Sequence, residues 1–257
     1  MYTAQQLTQQ LRAMGLKPTD AVMIHSSMKA IGEVQGRADT VLDVLMSYFE
    51  DGLLMLPTHT WATVNASHPV FDPRTEPSCV GLLTNLFLRR PSVIRSLHPT
   101  HSIAAYGKSA ADFVRGEEKA TTPCPPGGAW DRLRQINAKI LLIGVTHVNN
   151  TFIHVVDEAF DVPGRLVQTP AAISVRMPDG SLLPRAYYAH EGHVSMMFDK
   201  LRQAYEELGA ARNVRFGNAA CILCDARGIF EVTSKVYRHD PLCFTSLETI
   251  PQEWWKD

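Results

Sequence analysis

The sequence predicts a single α/β domain over residues 1–257, built on one mixed β-sheet flanked by helices. Short apolar runs, typical of buried strands, alternate with segments of helical period through the first two-thirds of the chain. The remainder contains alternating strand patterns separated by tight turns, which predict antiparallel pairs. No repeat, low-complexity tract or clear linker divides the sequence, and 257 residues can bury a sizeable core.

The alternation of predicted helices and strands begins near the amino terminus. In order, they predict a helix over 3–14, a buried strand over 21–25, a helix over 40–49, a buried strand over 52–58 and a helix over 80–90. Thr3 can cap the first helix, and Gly15 can end it. A loop containing Gly32 and Gly36 follows the first strand, and a loop rich in Pro, Asn, Ser and Asp follows the second.

The rest of the chain continues the alternation and then changes to hairpin-like segments. The patterns predict a strand over 102–107, a helix over 128–136, a strand over 138–144, a helix over 150–160, alternating segments over 165–177 and 181–188, a helix over 191–208 and further strand over 218–232. The sequence Pro-Asp-Gly at 178–180 is a turn signal, so the two alternating segments are expected to pair with each other.

Charge and hydropathy argue against several classes of function. The formal net charge is −1, so no global field attracts nucleic acid or an anionic membrane. The apolar runs are too short to span a bilayer, and the amino-terminal segment lacks the apolar region of a signal peptide. Five cysteines without regular spacing then predict a cytoplasmic protein with reduced thiols.

The stretch NNTFIHVVDEAFDVP, over 149–163, carries the candidate chemistry. On a helical wheel, His154, Asp157, Glu158 and Asp161 share one face roughly 100° wide, opposite an apolar face. An amphipathic helix with a solvated face is one interpretation. The composition favours a site, because three carboxylates without a cation repel one another until a cationic ligand relieves the repulsion.

His154 is the candidate base of this stretch. The predicted helix follows a predicted strand, and ligands of open α/β sheets collect at the carboxyl ends of strands. His154 is therefore expected to face a crevice, where an imidazole can remove a proton near neutral pH. Asp157, one turn further along, is positioned to orient the ring or to stabilise the imidazolium.

A zinc site on the histidines is an alternative, in which the protein would be a zinc-dependent hydrolase. The candidate ligands are His98, His101, His154, His190 and His193. The motif HEGH at 190–193 places its histidines at i and i+3, which is not the H-E-x-x-H spacing that sets two ligands on one helix face. No metal is therefore predicted.

Cys221 and Cys224 have the C-x-x-C spacing found in some zinc and redox sites. They lie in an apolar, strand-like run, and residues three apart on a strand point to opposite faces of the sheet. The pair is therefore predicted to be two buried core thiols.

Three segments resemble the aminoglycoside 3-N-acetyltransferase family, also called the antibiotic N-acetyltransferases. They are IHSSMKAIGEVQG at 24–36, RSLHPTHSIAAYG at 95–107, and the strand with its following helix at 140–163. Their order and spacing agree with the family over residues 1 to about 201. The resemblance implies an α/β fold and the transfer of an acetyl group from acetyl-CoA to an amine.

The resemblance also implies roles for individual residues. His154 matches the family's active-site histidine, and Asp157 lies where the family has Glu. The residues implied to bind CoA are Ser27, Gly32, Val34, Ser102, Ile103 and Ala104. Glu191 lies near an acidic position that binds the amine in the family, and Glu158 and Asp161 are expected to join it in binding the substrate.

The chain departs from the family pattern at three places. Gly128 stands where the family commonly has Ser, which removes a hydroxyl from the cofactor side. The loop over 59–78 is short and has only Asp72 and Glu76 as acids. The segment 190–194 contains imidazoles where the family pattern is usually acidic. These differences bear on the acceptor more than on acyl transfer.

The sequence thus predicts a metal-independent, acetyl-CoA-dependent N-acetyltransferase. It is expected to acetylate the 3-amino group of an aminoglycoside directly, without an acyl-enzyme, and so to confer antibiotic resistance. The expected partner is a small cationic amine, with no nucleic acid and no membrane. The alternatives are the same chemistry on a different amine, the zinc-dependent hydrolase, and a CoA-binding protein that has lost catalysis.

Overall fold

The structure, a computed structural model, describes residues 1–256. Its strands are β1 (Ala21–Ser26), β2 (Leu53–Pro57), β3 (Val70–Phe71), β4 (Ile94–Arg95), β5 (Ile103–Gly107), β6 (Lys139–Ile143), β7 (Ala171–Arg176), β8 (Leu182–Tyr187), β9 (Ala211–Phe216) and β10 (Ala219–Asp225). Its α-helices are α1 (Ala4–Ala13), α2 (Met28–Ile31), α3 (Arg37–Tyr48), α4 (Leu82–Phe87), α5 (Ala110–Phe113), α6 (Ala129–Gln135), α7 (Ile153–Ala159), α8 (Arg202–Glu207), α9 (Ala226–His239) and α10 (Glu253–Lys256).

A seven-stranded mixed sheet forms the centre of the molecule, in the order β4-β5-β2-β1-β6-β10-β9. Strand β1 pairs in parallel with β2 and β6, while β5, β9 and β10 join as antiparallel strands. A second sheet of three strands, β3-β7-β8, contains the predicted hairpin around residues 178–180. The predicted fold class, a mixed sheet flanked by helices, is confirmed. The assignment of residues 1–257 to one domain stays a prediction.

Helices cover both faces of the large sheet because its central strands are apolar on both sides. One layer packs α1, α3 and α4 on the sheet, through residues such as Leu7, Leu45 and Phe87. The other layer contains α6, α7, α8 and α9, with Trp130 and Tyr205 among its largest buried side chains. The fold is therefore a three-layer α/β/α arrangement.

The two cysteines of β10 follow the alternation of a strand. Cys221 packs in the layer that contains α1, α3 and α4, and Cys224 packs in the opposite layer. Both thiols are buried and free. The prediction of core thiols on opposite faces is confirmed.

The segment predicted as further strand over 218–232 is only half strand. Strand β10 ends at Asp225, and helix α9 begins at the next residue. The Asp225 carboxylate accepts a hydrogen bond from the backbone N–H of Gly228, which caps the helix. The prediction of strand over 226–232 was wrong, because an Asp that caps a helix and apolar side chains at helical spacing outweigh the local strand propensity.

The helix predicted over 191–208 begins later and in a different form. A 3₁₀ segment, Val194–Leu201, leads into α8, and Gly192 adopts a positive φ of 75° before it. The helix predicted over 150–160 is shorter as well, since a 3₁₀ turn at His147–Asn149 precedes α7. No helix within residues 1–256 is both long and apolar enough to cross a bilayer.

Candidate active site

A cavity of about 540 Å³ opens at the carboxyl ends of β1, β2 and β6. His25 and Ser26 at the end of β1, Pro57 at the end of β2 and Val145 after β6 line its floor. The remaining walls come from the segment 59–66, the segment 148–154 with the start of α7, and the small sheet with the loop that follows it. Its size suits a drug-sized ligand.

Gly144 lets the chain turn away from β6 at this floor. It adopts a positive φ of 64°, and a Cβ added there would lie 2.2 Å from the Cβ of Ala30. Any larger residue is excluded by both the backbone conformation and this contact. The glycine thus lets β6 and α2 approach closely beside the cavity.

His154 and Asp157 form a hydrogen-bonded pair beside the cavity. The distance from His154 Nδ1 to Asp157 Oδ2 is 2.8 Å, and the two residues are one turn apart on α7. The Asp157 side chain is fully buried, whereas that of His154 is 14% exposed and lines the cavity. With Nδ1 donating to the carboxylate, Nε2 holds the lone pair that accepts a proton.

Two further groups hold the Asp157 carboxylate. Tyr237, on α9, donates its hydroxyl to Oδ1, and Arg165 Nε lies 3.4 Å from Oδ2. Burial raises the pKa of Asp157, but the hydrogen bond from His154 and the charges of His154 and Arg165 together lower the pKa below its usual value. Asp157 is therefore ionised, and it can orient and stabilise a protonated His154.

A second imidazole–carboxylate pair lies directly beside the first. His190 Nε2 is 2.9 Å from Glu158 Oε1, and the ring of His190 lies against that of His154, with centroids 4.1 Å apart and the planes tilted by 37°. Burial, together with the charge of His154, lowers the pKa of His190 to about 4. His190 is neutral at pH 7, so that its ring does not compete with His154 for positive charge.

Four further histidines line the cavity: His25, His59 and His101 within its wall, and His193 at an exposed position. The ring centroids of His59 and His101 are 4.6 Å apart, and those of His101 and His190 are 5.8 Å apart. Burial lowers the pKa of His25 to about 3 and the pKa values of His59 and His101 well below 6.5. The cavity is thus bordered by neutral imidazoles.

This histidine cluster is not arranged as a metal centre within residues 1–256, where no three His, Cys, Asp or Glu side chains converge to hold an ion. One ring nitrogen of His154 and one of His190 are hydrogen-bonded to carboxylates. His98 lies behind the cavity and accepts from the backbone N–H groups of Thr100 and His101.

The segments implied to bind CoA lie close to the cavity but do not line it. Ser102, Ile103 and Ala104 are fully buried, and both edges of β5 are paired with neighbouring strands. Ser102 Oγ donates to the carbonyl oxygen of Thr58. Ser26 lines the cavity, whereas its neighbour Ser27 does not.

Other residues implied on the cofactor side have packing roles. Val34 is 5% exposed. Gly32 adopts a φ of 83°, and a Cβ there would lie 2.6 Å from the Asn218 side chain. Gly128 is at the amino-terminal end of α6, where an added Cβ would lie 3.0 Å from the carbonyl oxygen of Pro125.

The three acids predicted to bind substrate are placed differently from one another. Glu158 is engaged by His190, by the Thr122 hydroxyl and by the backbone N–H of Cys124. Asp161 is exposed beyond the end of α7, and Glu191 is exposed next to the cavity-lining residues 190 and 192. None of the three lines the cavity.

Sequence reasoning did not identify several side chains of this site. His25 and His59 line the cavity, and Arg165 and Tyr237 hold Asp157. From the sequence, His101, which also lines the cavity, is a candidate only as a ligand of the alternative zinc site. A signal existed for His25, which ends a predicted strand inside a family-like segment. Tyr237 had none, because it reaches Asp157 from 80 residues away.

Comparison with known proteins finds the same architecture. The family model for aminoglycoside 3-N-acetyltransferase matches residues 23–238. An aminoglycoside N(3)-acetyltransferase III from Salmonella sp is 27% identical over 255 residues, covering 89% of each chain.

Two solved structures share the fold. A mutant of the acetyltransferase AAC(3)-IVa in complex with a gentamicin has a TM-score of 0.83 at 24% identity, with 95% of this chain and 91% of that chain covered. A binary complex of AAC-IIIb with CoASH has a TM-score of 0.79 at 22% identity, with 92% and 97% covered. The family model spans β1, β2 and β6, whose carboxyl ends form the floor of the cavity. The chain therefore belongs to the aminoglycoside 3-N-acetyltransferase family and is an acyltransferase.

Proposed function

We propose that the protein transfers the acetyl group of acetyl-CoA to an amine, with His154 as the general base. The observation that carries the proposal is the pair of His154 and the buried, ionised Asp157, with the imidazole at the cavity wall. Family membership supports acyl transfer, and the CoASH complex of AAC-IIIb supports CoA as the donor.

The proposed reaction begins with proton removal, because an alkylammonium group cannot attack a thioester. His154 accepts the proton at Nε2, and Asp157 stabilises the resulting imidazolium. The free amine then attacks the carbonyl carbon and a C–N bond forms. The C–S bond breaks, and the proton lost by the attacking nitrogen passes to the sulfur, so that CoA leaves as the thiol and the product is a neutral amide. General base catalysis of this kind contributes about 10²- to 10⁴-fold.

Direct transfer fits the environment of Cys124, whose thiol lies near the cavity-lining residue Thr151. Cys124 is fully buried, and burial raises the pKa of its thiol well above the usual value. Since the thiolate is the nucleophile, a thiol in this environment is poorly suited to forming an acyl-enzyme. The proposed step therefore uses no covalent intermediate.

Two acceptors are candidates within this chemistry. The relatives are named for aminoglycosides, which makes the 3-amino group of an aminoglycoside the first, and Glu191, exposed next to the lining residues 190 and 192, would be the predicted acid that meets it. The second is a different amine, which is favoured because no carboxylate side chain within residues 1–256 lines the cavity. For the donor, the family resemblance supports the proposal that Ser27, Gly32 and the segment 102–104 lie along CoA.

The proposal is tested by replacing His154. We expect His154→Ala and His154→Gln to lower kcat by at least 10²-fold while the affinity for CoA, measured by calorimetry, changes less than about three-fold. The reason is that the ring acts on the amine and not on the donor. His68→Gln, at an exposed position that does not line the cavity, is the matched control. A His154 variant that keeps more than a tenth of the wild-type kcat would show that another group is the base.

A further inference from the structure

In the part of the chain that the structure describes, the wall of the candidate cavity offers no carboxylate to a cationic ligand. Among residues 1–256, none of the side chains that line it is Asp, Glu, Lys or Arg. Its polar groups are imidazoles, hydroxyls and amides, and burial lowers the pKa values of His25, His59 and His101, so these rings are neutral at pH 7. The wall offers hydrogen bonds to a ligand but no opposite charge to a cation.

The two carboxylates closest to the cavity are already engaged. Asp157 is fully buried behind His154 and is held by Tyr237 and Arg165. The Glu158 side chain is 4% exposed and accepts three hydrogen bonds. Neither can turn toward a second ammonium group without breaking these bonds and leaving donors unpaired.

Three other acids, Asp72, Glu76 and Glu191, lie outside the lining of the cavity and do not supply a carboxylate for a cationic ligand. Asp72 lies between Arg74 and Arg176, at 3.1 Å from each. Glu76 accepts a hydrogen bond from the Thr63 hydroxyl at 2.5 Å. Glu191 is exposed, and solvent reduces the attraction of an exposed carboxylate to a small contribution.

Apolar and aromatic side chains form one side of the cavity. Val64 and Ile173 are buried, and the hydroxyl of Tyr187 is bonded to Thr100, so that its ring is the part available to a ligand. Trp61 lines the cavity while 54% exposed, which is high for so large an apolar side chain. Burial of an apolar or aromatic group of the ligand against these side chains is energetically favourable.

We infer that the acceptor is a primary amine with a single ammonium group on an apolar or aromatic body, and not a polycation. This inference rests on the proposed function, because it is His154 that makes the amine neutral. A monoamine loses its only charge to His154 in that step and then needs no carboxylate from the wall. A polyamine keeps its other ammonium groups in a cavity that offers them no carboxylate.

Acceptor competition tests the inference. Purified protein is incubated with acetyl-CoA and either 2-phenylethylamine, glucosamine or gentamicin, and thiol release is followed. We expect kcat/KM for 2-phenylethylamine to exceed that for gentamicin at least ten-fold and that for glucosamine at least three-fold, with a KM for 2-phenylethylamine that is independent of salt. A higher kcat/KM for gentamicin would overturn the inference and leave the proposed acetyl transfer intact. No thiol release with any of the three amines would overturn both.

A designed charge gives an independent measurement. Asn149 lines the cavity and is exposed, and Asn149→Asp adds one carboxylate with almost no change of shape. We expect the ratio of kcat/KM for gentamicin to that for 2-phenylethylamine to rise at least three-fold. Asn149→Ala, which removes the amide without adding charge, should leave this ratio near its wild-type value. An unchanged ratio in Asn149→Asp would mean that cavity charge does not select the acceptor.

Discussion

Asp157 and Glu158 are neighbours in the sequence, yet each holds a different imidazole. Consecutive helical residues point about 100° apart, so Asp157 turns into the core toward His154, while Glu158 reaches His190 at the cavity wall. Both carboxylates are nearly or fully buried. Asp157 and Glu158 thus serve as internal acceptors for two different imidazoles.

Replacement of Asp157 tests its role as a positioning residue. We expect Asp157→Asn to lower kcat by about 10²-fold or more with little change in KM, because the amide cannot stabilise a protonated His154. The buried Arg165 also loses its carboxylate, and breaking a buried pair typically costs about 3–5 kcal/mol of unfolding free energy.

A variant of Tyr237 separates the orienting role of Asp157 from its contribution to the stability of the protein. Tyr237→Phe removes one hydrogen bond to Asp157 but keeps its charge, so its kcat should fall less than ten-fold. Steady-state kinetics and urea unfolding of both variants provide the comparison. A stable Asp157→Asn protein with kcat within five-fold of wild type would contradict the orienting role.

Contacts of this site between residues close in sequence could be predicted from the sequence, whereas contacts between residues far apart in sequence could not. His154 and Asp157 are three residues apart, so helical spacing alone predicts that they meet. Arg165 and Tyr237 come from a loop and from α9, and no periodicity reports a contact between separate elements. Likewise, the family-like segment 102–107 was recognisable, but its burial between β2 and β4 follows only from strand order.

Helix α9 shows how one residue decides the type of an element. The apolar run of β10 continues with Ile229 and Phe230, which also favour a strand. Asp225 ends the strand and caps the helix, and the following apolar residues then face the core. The alternation of apolar and helical segments was sufficient to predict the sheet. The boundary between β10 and α9 is instead marked by the hydrogen bond with which Asp225 caps the helix.

Removal of this cap should destabilise the protein measurably. We expect Asp225→Ala to lower the unfolding free energy by about 1 kcal/mol through loss of the cap, with a further small loss from the partly exposed ion pair with Lys139. Asp225→Asn retains the capping oxygen and should lose only the ion-pair part. Urea unfolding measures both. Equal losses in the two variants would show that charge, and not capping, matters at this position.

At the scale of the whole molecule, the burial of histidines links stability to pH. Burial lowers the pKa values of His25, His98, His147 and His190 to about 3–4, against 6.5 for an exposed histidine. Below pH 6.5 the unfolded chain therefore binds protons that the folded chain does not, and stability falls as pH falls from 6.5 toward 4. Glu117, whose pKa burial raises to about 7, acts in the opposite sense, but it is one group against several.

We therefore expect steep acid destabilisation in this window. Each histidine that is neutral when folded and protonated when unfolded contributes about 1.4 kcal/mol per pH unit. Thermal unfolding at pH 7.5, 6.5, 5.5 and 4.5 should show a nearly constant Tm between the first two and a falling Tm below them. His193→Gln, at an exposed position, should leave this profile unchanged. A Tm that is flat down to pH 4.5 would contradict neutral burial of these rings.

Different elements hold His154, the proposed base, and the walls of the cavity, which has a consequence for changing the choice of acceptor. His154 is anchored from within the core by α7 and α9, whereas the mouth is formed by the segment 59–66 and the loop after the small sheet. Mutations at the mouth can alter acceptor choice while the proton-transfer pair keeps its geometry. A directed-evolution library confined to Trp61, Ala66 and Ser195 would therefore explore new acceptors with little risk to the pair of His154 and Asp157.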